Sequence, residues 1–325
     1  MKTPLPLFFT FTDAEQFLKA LSTPLRDRYS AELIRLQGLR LPPLVSWSIL
    51  SVAIGVSPQF ITSLIKNKSK YYRVFSISKG RGKKKRIIEA PKVSIKIIQS
   101  WVAHHLSINH SLGISENAYA FIPGKNGIYE AASKHCGAKW ILSIDLRDFF
   151  HTITSDIVIS TLVEIGYRAD QAAKLSELLT FNQRLPQGAP SSPVISNLVF
   201  RSTDLKINEL ISNTGIKYTR YADDLTFSGD DETFDIEELK DNVVELLLSD
   251  NWVVAEEKLR IARIPNRLKV HGFLVHENKP RLTKGYRNKI RAYKHLLRTG
   301  KIVEKDFDKI KGHVNYSEYI DRLNE

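Results

Sequence analysis

Asp223 and Asp224 stand side by side in YADDLTF, residues 221–227, between an aromatic and a run of strand-forming apolar residues. Neighbouring residues of a regular strand point to opposite faces, so two adjacent carboxylates converge only at a tight turn. The flanks alternate as strands, KYTRY before and LTFSG after, which puts Ala222, Asp223 and Asp224 at a hairpin tip. A solvated surface turn also favours Asp, and the pair alone does not separate the two readings. A third acid does, because Asp145 ends the apolar strand WILSI. In a split-βαβ sheet that strand lies beside the central hairpin, and the three carboxylates meet. Such a cluster repels itself unless divalent cations neutralise it. Hard oxygen ligands select Mg²⁺, and two such ions about 3.5–4 Å apart stabilise the attacking and leaving oxygens of an in-line phosphoryl displacement. Carboxylates with basic flanks therefore read as nucleotidyl transfer.

The elements that must hold these acids are legible in outline. Residues 12–37 carry apolar residues at helical spacing with Pro24 as an interruption, and LPP at 41–43 closes the segment. LVSWSILSVAIGV at 44–56 is well short of the ~20 residues a membrane helix needs and reads as a core helix. A helix capped by Ser57 follows over 57–67. YYRVFSISKG and RIIEAP read as strands joined by the basic turn KGRGKKKR (79–86), before a helix over 93–106. KWILSID (139–145) is a buried strand, followed by helical stretches to about Leu179. LPQGAPSSP (185–193) opens a further helix, then come the strand pair around Asp223, a helix at 236–250, and short strands near 252–254 and 269–276. The order β, α, β, β, α, β predicts an α+β fold built on a ferredoxin-like sheet.

Composition narrows the partner. Forty-eight Lys and Arg against 35 Asp and Glu leave a net charge of +13 over 325 residues, which favours a polyanion, nucleic acid ahead of a membrane surface. A basic protein merely kept soluble by its charge is the plainer alternative. The single cysteine, Cys136, excludes a disulfide framework and a Cys-rich zinc site. The N-terminus makes a poor signal peptide, so a cytoplasmic chain without a membrane partner is expected. Between Lys258 and Lys301 fourteen Lys or Arg stand against one acid, Glu277, which is hard to reconcile with an ordinary solvated face. A helix over GYRNKIRAYKHLLRTG puts Tyr286, Ile290, Tyr293 and Leu297 on one side. The opposite side, with Arg281 just before it, offers Lys284, Arg287, Arg291 and Lys294 to a phosphate backbone.

IDLRDFF (144–150), LPQGAPSSPVISN (185–197) and YADDL (221–225), in that order, resemble the palm motifs of reverse transcriptases. The resemblance implies a right-hand polymerase: a helical N-terminal extension (1–55), fingers (56–140), a ferredoxin-like palm (141–275, with fingers elements within about 155–195) and a helical thumb (276–325). It implies that Asp145, Asp223 and Asp224, with the main-chain carbonyl of Leu146, hold two Mg²⁺ ions, and that the substrates are dNTPs. Phe150 then corresponds to the aromatic gate that stacks under the incoming sugar and excludes a 2′-hydroxyl. Gln187 and Gly188 match the loop against the nascent base pair, and Lys85 and Arg86 match the cations that clamp the triphosphate. Lys258 matches the lysine that acts as general acid to pyrophosphate. Arg220, just before the hairpin, either neutralises the acids or supports the fold.

Within that family the compact chain most resembles the bacterial retron enzymes. Their Asn-Ala-x-x-His element is matched at Ala131-Ala132-Ser133-Lys134-His135, without the Asn, and their Val-Thr-Gly at Val270-His271-Gly272, without the Thr. The resemblance makes His135 and His271 candidates for RNA contact, the alternative for each being a packing histidine. It also implies a cognate structured non-coding RNA as template and primer, primed from a guanosine 2′-hydroxyl, and a retained RNA–DNA product of multicopy single-stranded DNA. In that family the complex guards an effector protein in antiphage defence. The alternatives are another bacterial reverse transcriptase, of group II intron, diversity-generating or abortive-infection type, and a non-catalytic RNA-binding scaffold. The intact acids with Phe150 and Gln187 argue against the scaffold.

Overall fold

The computed structural model describes residues 13–78 and 85–325. The expected basic turn falls mostly on 79–84 and, like residues 1–12, lies outside the described residues. The chain divides into two units. One takes Met1–Ser115, Asp148–Leu205 and Asp250–Val253, and the other Glu116–Arg147, Lys206–Ser249 and Val254–Glu325.

The first unit is mainly helical. Ala14–Lys19 and Thr23–Gly38 fill the stretch expected near the N-terminus. Pro24 does not interrupt a helix but begins the second one, in the first turn where its missing N–H is not needed. Ser46 caps Trp47–Ile54 and Ser57 caps Pro58–Lys66, each hydroxyl accepting an N–H three residues on. Among the described residues no single helix is long and apolar enough to cross a membrane; these two pass such a test only as a pair, bent by 113° at the break. Their Ile49, Leu50, Ile54, Ile61 and Leu64 are core residues.

β1 (Tyr72–Ile77) and β2 (Arg86–Pro91) form the expected antiparallel ribbon, with Tyr72 against Pro91 and Ile77 against Arg86. The ribbon is anchored at its base. The buried Gln99 amide, on the helix Val93–Ser107, donates to the Tyr72 hydroxyl at 2.8 Å and to the Leu178 carbonyl at 2.9 Å. Tyr72 stacks on Phe181 with ring centroids 4.2 Å apart.

The second unit carries the main sheet. β3 (Trp140–Asp145), β4 (Lys217–Tyr221), β5 (Asp224–Gly229) and β6 (Arg260–Arg263) lie in the order β4-β5-β3-β6, all neighbours antiparallel. This is the ferredoxin-like order that the element sequence predicts. β3 and β5 are buried along most of their length; complete burial of a side chain such as Leu142 or Phe227 contributes about 1.5–3 kcal/mol. The outer edge of β4 is covered, since Arg220 exchanges main-chain bonds with Asn117 and Tyr119. The fourth strand is not where the sequence puts it. Trp252 is buried against Phe149 and Phe200, and Val254 makes only an isolated bridge to Leu146. RIAR (260–263), with arginines at both ends, takes the ladder on β3 instead.

A small sheet of β7 (Lys269–Val270), β8 (Phe273–Leu274) and β9 (Arg281–Leu282) leads into the helices Lys284–Thr299 and Glu304–Leu323. Val270, Phe273 and Leu282 share one core with Ile141 of β3 and Ile320 of the last helix. That last helix is also tied down by the Tyr129 hydroxyl, 3.0 Å from the Leu323 carbonyl.

His135 corrects the expectation of an RNA contact. It has no exposed surface, and its ring bridges β5 and β4: Nδ1 lies 2.7 Å from the Ser228 hydroxyl and Nε2 2.7 Å from Thr219. A side chain with both nitrogens engaged beneath the sheet is a packing histidine. Burial, helped by His271 and Lys217, pulls its pKa from 6.5 down to about 3. The unfolded chain therefore takes up a proton below pH 6.5 that the folded chain refuses. The stability at stake is complete above pH 6.5 and drains away as the pH falls towards 3, at up to about 1.4 kcal/mol per pH unit. Urea unfolding between pH 7.5 and pH 5 should show this loss in the wild type, with a shallower pH slope in His135→Gln.

Candidate catalytic site

Tyr221 pairs with Asp224, so Ala222 and Asp223 form a two-residue hairpin turn. Ala222 takes φ 58°, a region a non-glycine residue enters only when its surroundings impose it. Arg220 is part of that imposition: its fully buried guanidinium donates to the Ala222 carbonyl at 3.3 Å. Of the two roles open to Arg220, the geometry shows support of the turn.

Register brings the third acid in. Asp145, the last residue of β3, is the direct cross-strand partner of Asp224, and the Leu146 N–H donates to the Asp223 carbonyl at 2.8 Å. The Asp145 carbonyl in turn accepts the Ala255 N–H at 2.8 Å, which starts the short 3-10 turn Glu256–Lys258. That turn places the Lys258 ammonium on an Asp145 carboxylate oxygen. Arg147 and Glu257 pair alongside at 2.7 Å. His271, in the tight link between β7 and β8, sets Nδ1 3.4 Å from an Asp224 oxygen and its ring 5.2 Å from Tyr221. It lies at the acids, with Nε2 buried and meeting no hydrogen-bonding group of the described residues.

The charge balance is strained in the expected sense. Burial and the neighbouring Asp145 carboxylate push the Asp223 carboxyl above the usual range, while Lys258 pulls the other way. Among the described residues no three His, Cys, Asp or Glu side chains close up into a ready metal cage. The donor set is nonetheless of the right kind for a divalent cation: three hard carboxylates on a rigid hairpin and its neighbour strand, one of them held partly out of water.

The residues expected at the nucleotide fall in the first unit. Lys85 and Arg86 are exposed at the start of β2, and Phe150 is half-buried in the one-turn helix Phe149–Thr152. Gln187 and Gly188 pack on β2, with the Glu89 N–H donating to the Gln187 carbonyl at 2.8 Å. The glycine is required there. Gly188 has φ 132°, and a Cβ would sit 3.0 Å from Ile88 Cγ2 and 3.3 Å from the Glu89 carbonyl oxygen.

The basic helix Lys284–Thr299 forms as expected: Ile290 is buried, Tyr286 and Tyr293 are half-buried, and Lys284, Arg287, Arg291 and Lys294 are exposed. They line a cleft of about 1110 Å³ together with Arg281 and Lys279. Acids temper it, for Arg281 pairs with Glu277 at 2.7 Å and Lys294 with Glu318 at 3.1 Å. Sequence reasoning missed Glu318, which falls within the expected helical thumb but carries no pattern that pairs it with Lys294. It also missed Glu89, a fully buried acid whose signal was a carboxylate inside the apolar strand RIIEAP.

A family model described as "Reverse transcriptase (RNA-dependent DNA polymerase)" matches residues 77–289. That range contains the three acids, Lys258 and every residue expected at the nucleotide, and stops before Arg291 and Lys294. The retron Ec86 reverse transcriptase of Escherichia coli is 29% identical over 293 residues, covering 88% of each chain. The retron Mx65 reverse transcriptase of Myxococcus xanthus is 32% identical over 258 residues, 72% of this chain and 59% of its own. Among solved structures, apo telomerase from Candida tropicalis truncated from its C-terminal domain overlaps 70% of this chain and 61% of its own at 11% identity and a TM-score of 0.47, too loose a likeness to add to the topology.

Gly188→Ala is expected to destabilise the fold by about 1–3 kcal/mol, because the added methyl meets β2 and the backbone angle disfavours any side chain. Chemical denaturation of the variant beside the wild type measures this.

Proposed function

The chain belongs to the reverse transcriptase (RNA-dependent DNA polymerase) family, and on that premise we propose that it copies part of a cognate structured RNA into single-stranded DNA as a retron enzyme. RNA-directed DNA polymerisation is the activity of the family, which uses divalent metal ions and deoxynucleoside triphosphates. The observation that carries the reading is the register of β3 on β5, which aligns Asp145 with Asp224 beside the Asp223 turn.

In this reading Asp145, Asp223 and Asp224, with the Leu146 carbonyl, hold two Mg²⁺ ions. When bound, such ions offset the negative charge on the attacking and leaving oxygens of phosphoryl transfer. The primer hydroxyl attacks the α-phosphorus, a new P–O bond forms, and the bridging bond to the β-phosphate breaks. Lys258, held beside Asp145 by its short turn, supplies a proton to the departing pyrophosphate. Arg86, with Lys85 beside it, grips the triphosphate, since a guanidinium binds phosphate bidentately. Phe150 lies under the sugar and excludes a 2′-hydroxyl, and Gln187 and Gly188 pack against the new base pair. Lys284, Arg287, Arg291 and Lys294, with Arg281, follow the backbone of an A-form duplex, which is read largely by shape and phosphate. His271, beside Asp224, contacts the RNA or its DNA product. The partners are the cognate RNA, its RNA–DNA product and an effector protein, in the cytoplasm.

Two measurements test this. With a primed RNA template, dNTPs and Mg²⁺, the wild type should extend the primer, and Asp223→Asn should lower the rate by roughly 10³-fold or more, as loss of a metal ligand worth several kcal/mol requires. Absence of extension by the wild type contradicts the polymerase reading. Sequencing of the nucleic acid that copurifies should return one branched RNA–DNA species; a heterogeneous mixture of host RNA contradicts the retron reading.

A further inference from the structure

Glu89 sits on β2 with its side chain 3% exposed, among residues that do not otherwise call for a charge. Its carboxylate is nevertheless engaged on both oxygens. Oε2 lies 3.2 Å from His151 Nε2, and Oε1 lies 3.5 Å from a terminal nitrogen of Arg184. Its own N–H donates to the Gln187 carbonyl at 2.8 Å. One residue thus touches three elements: the strand that begins with Arg86, the one-turn helix that carries Phe150, and the segment that leads into Gln187 and Gly188.

Main-chain bonds close the ring. The Leu185 N–H donates to the Ile153 carbonyl at 3.0 Å, and the Ser155 N–H to the Gln183 carbonyl at 2.9 Å, so the loop before Gln187 is pinned to the residues just after Phe150. On its other side the short helix is held by Phe149, which stacks on Trp252 at 5.3 Å and meets Phe200 at 6.0 Å. Phe150 therefore stands between an apolar anchor at Phe149 and a polar one at His151. A helix of a single turn cannot hold a ring in place by its own hydrogen bonds. A buried carboxylate that must keep its partners supplies the missing constraint.

We propose that Glu89 is a positioning residue for nucleotide selection: through His151, Arg184 and the Gln187 carbonyl it sets the sugar gate, the base-pair loop and the triphosphate-binding strand relative to one another. The proposal rests on the reading of Phe150 as the sugar gate. Loss of the carboxylate leaves the backbone ring intact but frees the His151 side of the gate, so the enzyme still folds and polymerises with poorer choice of sugar. An amide at position 89 cannot accept from both partners at once, because one of its two ends is a donor.

The test is single-nucleotide incorporation on a primed RNA template, measured with a dNTP and with the matching rNTP, for the wild type, Glu89→Gln, His151→Gln and Phe150→Ala. Glu89→Gln is expected to raise KM for the dNTP and to shrink the dNTP-to-rNTP ratio of kcat/KM by about tenfold to a hundredfold, the scale of a positioned group displaced by about 1 Å. His151→Gln, which cuts one link only, should move the ratio in the same direction with an unchanged melting temperature, and it carries the decision should Glu89→Gln not fold. Wild-type discrimination in a folded His151→Gln and a folded Glu89→Gln overturns the proposal. Wild-type discrimination in Phe150→Ala places the failure in the gate reading itself, and the proposal falls with it.

Discussion

The antiparallel register of β3 on β5 is the constraint on which the candidate catalytic site depends. A slip of one residue would turn Asp145 away from Asp224 and send every side chain of the strand to the opposite face. Because β3 is buried almost throughout, alternation of polar and apolar residues cannot set that register. Packing at the two ends does. At the far end Trp140 lies over Gly229, where a Cβ would come within 2.6 Å of the indole, so only glycine can face it. At the near end the Leu146 N–H reaches the Asp223 carbonyl. The acids are aligned by a tryptophan and a glycine at the other end of the strand pair.

That alignment concentrates negative charge, and the surrounding residues are arranged to tolerate it. Lys258 lies on Asp145, His271 lies near Asp224, and the buried Arg220 holds the strained Ala222 turn from beneath. Each is delivered by a different short element: a 3-10 turn, the link between β7 and β8, and β4. The first unit repeats the principle with opposite emphasis. There the single buried carboxylate of Glu89 meets His151 and Arg184, and its main-chain N–H donates to the Gln187 carbonyl, drawing together the elements that carry the residues expected at the nucleotide. In both places charge is used to position backbone as much as to do chemistry.

The sequence made the acids legible because Asp145 ends an apolar strand and the Asp223–Asp224 pair stands where an alternating one turns, and strand ends are where a sheet presents its reactive groups. The sheet order followed from the succession of elements, and the amphipathic basic helix from its period. What stayed hidden depends on contacts between distant segments. RIAR has no apolar alternation strong enough to announce a strand, and it becomes one because β3 has an open edge. His135 matches an RNA-binding pattern in sequence, yet Ser228 and Thr219 enclose it. Glu89 appears as one acid in an apolar strand, and only its neighbours in space explain it.

The claim that the β3–β5 register assembles a divalent cation site is tested most directly by Mn²⁺ binding to the full chain with a primed RNA template and a dNTP, followed by the loss of the free-ion paramagnetic resonance signal. The wild type should take up ions stoichiometrically, and Asp145→Asn, which leaves the strand and its register in place, should bind far more weakly. Equal Mn²⁺ uptake by the two proteins would contradict the account.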